Sequence, residues 1–254
     1  MMIERLSARH VVLLGIGHTN AHVLRMWRMN PIPDTDLTCI SNYTMASYSG
    51  MLPAVLAGQI PEEQMKIDLV QLCSSVGARL ITDRVAGIDH QTSEVLFDDR
   101  PPIPFDALSV GIGSIASTDG VDIQSDSVVQ IKPMQTFLER LRAAVAKREQ
   151  ESDRTELRIA VVGSGVAGIE ITSCLPKFLE SAGQTFSLQL VTRSDQILPE
   201  VIDQTRTLVE QEFQRRNVAI VTGRAVAKVT PDAMVLDDGI RIACDLVIWA
   251  TGAA

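Results

Sequence analysis

The stretch from Arg158 to Glu170, R-I-A-V-V-G-S-G-V-A-G-I-E, leaves few folds open. Ile159 to Val162 is an apolar run rich in β-branched residues, short enough for a buried parallel strand. Gly163, Gly165 and Gly168 come next as a full G-x-G-x-x-G, and Ile169 to Leu175 continues at helical spacing. The order is strand, tight turn, helix. In such a unit the first glycine makes the turn, the second lets the backbone approach a pyrophosphate, and the third lets helix pack on strand. The phosphates then meet a helix N-terminus, where unpaired N–H groups and the dipole favour negative charge by ~0.3–1 kcal/mol or somewhat more. Any Gly-rich turn can match the glycines alone; the strand before them and the helix after them point to a dinucleotide site.

A second copy strengthens the reading. His10 to His22 reads H-V-V-L-L-G-I-G-H-T-N-A-H, again an apolar strand, then Gly15 and Gly17, then a helix carrying Val23, Leu24, Met26 and Trp27. Asn20 stands in place of the third glycine, which predicts a slightly wider approach of helix to strand. The two units lie about 150 residues apart in the chain.

The segments after the two turns repeat as well. Asn30-Pro31-Ile32-Pro33 ends the first helix and Leu37 to Ile40 is the next strand, closing on Ser41-Asn42, where an NAD- or FAD-type unit usually carries an acid for the ribose. Tyr48-Ser49-Gly50-Met51-Leu52-Pro53 leads into Ala54–Leu56 and Gly58, read locally as a loop and a short buried helix. Helix signals return from Lys66 to Val76 and stop at Gly77. Short strands then run through Arg79–Ile88 and Val95–Phe97 to Phe105–Val110, which ends in Gly111-Ile112-Gly113. The same order returns in Ala219–Val229, Met234–Leu236 and Ile242–Ala250, which ends in Thr251-Gly252. Arg79-Leu80-Ile81-Thr82 matches Ala219-Ile220-Val221-Thr222, Phe97-Asp98-Asp99 matches Leu236-Asp237-Asp238, and Asp106-Ala107-Leu108 matches Asp245-Leu246-Val247. The chain is an internal duplication. The predicted fold is α/β: two Rossmann-like units, each a parallel sheet with a small antiparallel β-meander. Between them, polar Ser117–Ser127 precedes Val128–Ile131. Pro133 then suits the first turn of a helix whose stripe is Phe137, Leu138, Leu141, Ala144 and Val145. Charged Arg148–Thr155 completes the expected hinge.

Bulk properties remove several classes of function. With 254 residues, 46% of them hydrophobic, the chain can bury one large core or two modest ones. A net charge of −8 with no basic run argues against nucleic acid. No signal-peptide core or membrane-length apolar run is visible. Cys39, Cys73, Cys174 and Cys244 are scattered through apolar segments, as expected of reduced, cytoplasmic packing cysteines. With His10, His18, His22 and His90 they show no metal-ligand spacing, so no metal is expected.

Two dinucleotide units, each with a meander and a closing strand, the second reading D-L-V-I-W-A-T-G, resemble the two-dinucleotide-binding-domain flavoproteins, the pyridine nucleotide-disulfide oxidoreductase superfamily. The resemblance covers essentially the whole chain, and its most specific motifs are Gly163–Glu170 and Asp245–Gly252. It implies FAD in a first domain of residues 1–118, and NAD(H) or NADP(H) in a second of residues 119–254 with a hinge helix at about 133–148. By resemblance, Gly15 and Gly17, with His18 and Asn20, cradle the FAD pyrophosphate. Gly163, Gly165, Val166 and Gly168 cradle that of the nicotinamide cofactor, where Thr251 and Gly252 belong as well. Glu170 matches a family glutamate near the nicotinamide end, or is an exposed helix glutamate.

Tyr48–Gly58, with Ser49, Gly50 and Met51, resembles the segment beside the flavin ring in type II NADH dehydrogenases and related quinone reductases. G-I-G-H together with Y-S-G-M-L-P is similar to the flavoprotein fused to, or associated with, selenophosphate synthetase (selenide, water dikinase), a branch that also accounts for Ser41 at the ribose. The implied activity is an FAD-dependent NAD(P)H oxidoreductase, passing hydride to flavin and on to a quinone or other small acceptor. The cofactors carry that chemistry, so no side chain is named as acid or base. The resemblance admits a homodimer. The alternative is a non-catalytic nucleotide-binding or redox-sensing module serving selenophosphate synthetase.

The chain also departs from the family. No cysteine lies between Ser41 and Gly58, so no thiolate stands where disulfide reductases need one, and disulfide reduction is not expected. Gly111-Ile112-Gly113 replaces A-T-G, and no flavin contact is assigned to it. Thr192-Arg193 replaces the acid that favours NAD: Arg193 either accepts an NADP 2′-phosphate or is an exposed loop charge, and the choice stays open. The family's FAD domain is completed by a later segment with a G-D motif, which this sequence does not reach. The expectation is a fragment or a short product that holds the nicotinamide cofactor better than FAD.

Overall fold

The computed structural model describes residues 9–151 and 156–252; the charged end of the expected hinge, 148–155, therefore lies partly outside the described residues. Two compact units divide the chain, Met1–Ser49 with Glu62–Gly113, and Gly50–Pro61 with Ser114–Ala254. The elements run β1 (Arg9–Leu14), α1 (His18–Met29), β2 (Thr35–Ser41), β3 (Met45–Ser47), α2 (Leu52–Leu56), β4 (Lys66–Asp68), α3 (Leu69–Ser74), β5 (Arg79–Thr82), β6 (Val85–Asp89), β7 (Glu94–Phe97), β8 (Ile103–Pro104) and β9 (Ala107–Val110). They continue with β10 (Asp122–Ile123), β11 (Val128–Gln130), α4 (Phe137–Glu151), β12 (Leu157–Val162), α5 (Val166–Ser181), β13 (Phe186–Val191), α6 (Asp203–Arg215), β14 (Ala219–Val221), β15 (Val226–Val229), β16 (Ala233–Leu236), β17 (Arg241–Ala243) and β18 (Leu246–Trp249).

The duplication is an architectural fact. The first unit holds a parallel sheet in the order β5-β2-β1-β9, and the second one in the order β11-β18-β12-β13-β14. Strand for strand, β1 answers to β12, β2 to β13, β5 to β14 and β9 to β18. The second sheet has one strand more, β11, paired in parallel with β18. Each unit also carries an antiparallel meander, β6-β7-β8 in the first and β15-β16-β17 in the second.

Alternation along the strands sets the layers. In the first unit Val12, Leu14, Ile40 and Ile81 share a cluster with Val95 and Ile103 of the meander. On the opposite sheet face Leu13, Leu37 and Cys39 pack with Leu24 of α1 and with Leu69 and Cys73 of α3. In the second unit Ala160, Val162, Val247 and Trp249 meet Val226, Val229, Met234 and Leu236 of its meander. Burying each Val- or Leu-sized side chain stabilises by about 1.5–3 kcal/mol. α5 lies against β12 and β13, α4 against β11 and β18, and α2 against α5.

Three local expectations are corrected. Residues 66–76 are not one helix: Lys66–Asp68 pairs with Met45–Ser47, and Asp68 then caps α3 by accepting the Gln71 N–H at 2.9 Å. Pro133 does not open an α-helix. It follows a cis peptide and leads into a 3-10 turn, Met134–Thr136, so α4 starts at Phe137. Residues 242–250 are not one strand: Cys244-Asp245 breaks the run, leaving β17 in the meander and β18 in the parallel sheet.

Candidate functional site

In the second unit the turn after β12 is built by glycines with different duties. Gly163 has φ +114°, a region L side chains rarely adopt, and a Cβ there would sit 2.5 Å from the Ala250 carbonyl oxygen. At Gly168 a Cβ would overlap the carbonyl of Gly163. The fold itself requires these two glycines. Gly165 is another matter: its backbone is extended, φ −69° and ψ 177°, and a Cβ would find no heavy atom within 4 Å. It caps α5 with no side-chain hydrogen bond, and no acidic residue stands in the first turn beside exposed Val166.

The first unit repeats the scheme. Gly15 has φ +77°, and a Cβ would lie 2.6 Å from the Gly111 oxygen. Gly17 caps α1 at φ −86°, again with no side-chain cap and no acid in the first turn. Its Cβ would meet only the Gly111 oxygen, at an ordinary 3.6 Å. Asn20 is fully buried. Its amide donates to the Gly15 carbonyl at 2.8 Å, and its oxygen accepts the Ser109 hydroxyl at 2.7 Å. A Cβ stands here where Gly168 tolerates none, and the amide ties the start of α1 to the turn at Gly15, to Leu14 at the end of β1 and to Ser109 of β9.

The other candidates are spread over both units. His18, exposed at the start of α1, stacks on Tyr48 with ring centroids 5.0 Å apart and planes at 24°. Ser41 ends β2, and its oxygen accepts the Tyr43 N–H at 3.2 Å. Ser49 is exposed and opens a 3-10 turn through Gly50 and Met51. Glu170 is exposed on α5 and has no hydrogen-bond or ion-pair partner among the described residues. Thr251 donates to the Ser117 carbonyl at 3.0 Å, as does the Trp249 indole at 2.8 Å, while the exposed Gly252 carbonyl accepts the Ser117 N–H at 3.3 Å. Arg193 is exposed and likewise without a partner among the described residues.

Burial pushes the Cys244 thiol up to about 12, with Asp245 adding to it. The hydrogen bond with Cys73 and then burial raise Cys39. Among the described residues no group of three or more His, Cys, Asp or Glu is placed to hold a metal, and no helix is long and apolar enough to cross a membrane. Chemically, the arrangement offers paired strand–glycine–helix cradles with uncapped N–H groups, suited to phosphate.

The sequence model of the pyridine nucleotide-disulphide oxidoreductase family matches residues 9–254. The chain belongs to this family.

Relatives lie within it at low identity. The NADH dehydrogenase-like protein YutJ of Bacillus subtilis is 24% identical over 247 residues, covering 96% of this chain and 65% of that protein. A probable NADH dehydrogenase of Dictyostelium discoideum is 25% identical over 266 residues, covering 95% of this chain and 58% of that one. The chain thus spans somewhat under two thirds of the length of these relatives. Among solved structures, NDH2 from Plasmodium falciparum in complex with NADH superposes with a TM-score of 0.82 at 16% identity, over 97% of this chain and 55% of that one. At that identity the likeness is one of fold.

Two pairings beside the turns are not visible in the sequence. Ser164, the residue between the first two glycines, donates its hydroxyl to Thr192 at 2.9 Å in a buried pair. Spacing marks Thr192 only as a missing acid, and its buried partner lies 28 positions away. Matching the x of G-x-G with the residue after the second strand is the signal that could have found it. Tyr48 is legible as part of its segment, but nothing in the sequence gives it as the partner of His18.

Proposed function

We infer that the chain is the dinucleotide-binding part of an FAD-dependent NAD(P)H oxidoreductase. The observation that carries this is Gly165. Gly163 and Gly168 are explained by the fold, but neither backbone angle nor neighbour requires a glycine at 165. A glycine at an uncapped helix N-terminus with open space before it suits a pyrophosphate that must approach the backbone. Gly17 supports the same reading in the first unit.

In this reading Gly163, Gly165, Val166 and Gly168 hold the nicotinamide dinucleotide, with Glu170, Thr251 and Gly252 near its other end. Gly15, Gly17, His18 and Asn20 hold FAD, with Ser41 at the ribose and Ser49, Gly50 and Met51 toward the ring. When bound, the cofactors supply hydride transfer and electron delivery to a small acceptor, for which a quinone is proposed. The names of the relatives, NADH dehydrogenase-like and probable NADH dehydrogenase, support the donor half. "Type II NADH:quinone oxidoreductase" of Haemophilus influenzae, 24% identical over 177 residues, supports the acceptor half. The residues themselves act by backbone N–H donation and by excluding bulk from the cradle. No cysteine lies between Ser41 and Gly58, so no disulfide chemistry is proposed. The four cysteines are free, which suits a cytoplasmic setting.

A second reading is a nucleotide-binding module serving selenophosphate synthetase. It is favoured by the His18–Tyr48 stack, which joins the two motifs that carry that resemblance. The test separates the two. Purified chain mixed with FAD should show flavin absorbance that NADH or NADPH bleaches. Bound flavin that neither bleaches favours the module, and no flavin with no nicotinamide binding ends both readings.

A further inference from the structure

We propose that the second unit takes its nicotinamide cofactor in the 2′-phosphorylated form, with Arg193 and Ser194 as the donors to that phosphate. This rests on the nucleotide-binding reading above and adds which nucleotide the site selects.

In a doubly wound unit the adenosine ribose meets the end of the second strand, beside the glycine turn. Here that strand is β13. Val191 pairs in register with Val162, and its carbonyl accepts the Gly163 N–H at 2.9 Å. Thr192, Arg193 and Ser194 therefore leave the sheet alongside Gly163 to Gly165. An unphosphorylated ribose is selected at this point by a carboxylate that accepts its hydroxyls. None of the three residues supplies one.

Thr192 does not substitute. It is buried, its oxygen accepts the Ser164 hydroxyl at 2.9 Å and the Ser194 N–H at 3.2 Å, and its carbonyl accepts the Arg224 N–H at 3.1 Å. The next acid, Asp195, faces the other way. One of its oxygens lies 3.4 Å from where a Cβ on Gly223 would be, and Gly223 follows β14, the neighbour of β13 on the side away from β12. The Gly223 N–H donates to the Ser194 carbonyl at 2.8 Å and holds that orientation.

What remains at the strand end is donor capacity. Arg193 is exposed, with no hydrogen-bond or ion-pair partner among the described residues, and the Ser194 hydroxyl has none there either. The nearby guanidinium of Arg224 is already engaged: its Nε donates to Asp238 at 2.5 Å and its Nη1 to the Gly223 carbonyl at 2.8 Å. An unpaired guanidinium and an unpaired hydroxyl on consecutive residues at the strand end, with no carboxylate among residues 192–194, suit a dianionic phosphate better than a ribose diol.

Calorimetry on the whole chain tests this, with NADPH, NADH, 2′,5′-ADP and 5′-AMP titrated separately. One or more charge-assisted hydrogen bonds should make NADPH bind at least about tenfold more tightly than NADH, and 2′,5′-ADP more tightly than 5′-AMP by a similar factor. Arg193→Gln should remove most of both preferences while NADH affinity and the thermal midpoint stay as they were, since Arg193 supports nothing in the fold. NADH binding as tightly as NADPH overturns the proposal and leaves the nucleotide-site reading standing. So does an Arg193→Gln variant that weakens all four ligands alike, which would mark a general charge effect. Failure of all four to bind overturns the nucleotide-site reading and this proposal with it.

Discussion

Asp245 holds Arg158 by backbone and side chain together, accepting its main-chain N–H at 3.0 Å, its Nε at 2.9 Å and its Nη2 at 2.5 Å. The Asp245 N–H returns a bond to the Arg158 carbonyl at 2.8 Å. The first unit contains the same clasp with different residues. Asp106 accepts the His10 N–H at 2.6 Å and donates its own N–H to the His10 carbonyl at 2.8 Å. In each unit an aspartate one residue before the closing strand ties it to the strand that leads into the glycine turn.

Asp245→Asn should therefore destabilise more than Asp106→Asn. At Asp245 a half-buried guanidinium loses its carboxylate and an amide NH₂ is turned on donors, at a cost of about 1–3 kcal/mol. At Asp106 no guanidinium is involved, and the loss should be nearer about 1 kcal/mol. Urea midpoints of the two variants decide the order, and equal midpoints would contradict it.

The glycines of the second turn should separate fold from ligand. Gly168→Ala forces a Cβ into the Gly163 carbonyl and should cost at least about 3 kcal/mol or prevent folding. Gly165→Ser places a good N-cap in open space, so stability should hold or rise by about 0.5 kcal/mol. Its hydroxyl then competes with the phosphate for the same N–H groups, and nicotinamide nucleotide affinity should fall at least about tenfold. Melting curves and calorimetry on the one variant read both effects.

Acid should weaken the end of α6. Arg215, then Arg216, hold the Glu212 carboxylate down to about 2 from an ordinary 4.5, with Arg215 forking onto both oxygens at 2.7 and 2.8 Å. A depressed carboxylate contributes fully above its unfolded value and loses the contribution as pH falls toward its folded one. The urea midpoints of the wild type and Glu212→Gln should differ most above pH 4.5 and converge as pH falls toward 2. The pair is exposed, so the difference should be small and shrink with salt. A gap that widens on acidification would reverse the assigned sign.

Thiol labelling should follow burial. Cys174 is half-buried, its thiol raised by burial and then by Glu170, whereas Cys39 and Cys244 are fully enclosed. Under native conditions near pH 8, iodoacetamide should modify Cys174 first, and Cys39 and Cys244 only as fast as the protein opens. Mass spectrometry over time distinguishes them, and early labelling of Cys244 would contradict its enclosure.

Much of the fold is legible in the residues alone. β12, the turn and the start of α5 are encoded in the single run Arg158 to Glu170, and the second copy at Gly15 and Gly17 repeats the code. The match of Asp106 with Asp245 belongs to the repeat and does not say what either aspartate holds. The segments that mislead share a cause. Lys66–Asp68 is a strand because Met45–Ser47 pairs with it, and residues 242–250 break at Cys244-Asp245 because two sheets claim the two halves. The β11 strand, which lies in the stretch between the copies, joins the second sheet through Val128, Val129 and Gln130.

By itself the sequence determined the two strand–turn–helix units, the duplication and the glycine turns, because side-chain periodicity and a glycine's freedom act within a few residues of themselves. Tertiary structure alone decided which glycines the fold needs, Gly163 and Gly168, and which it does not require, Gly165. It also decided that Asn20 bonds to Ser109, 89 positions away, and that Thr192 is turned inward onto Ser164 while Arg193 is left without a partner among the described residues. These outcomes depend on which groups the folded chain brings within about 3 Å of one another, the range over which a hydrogen bond forms, and spacing along the sequence does not carry that distance.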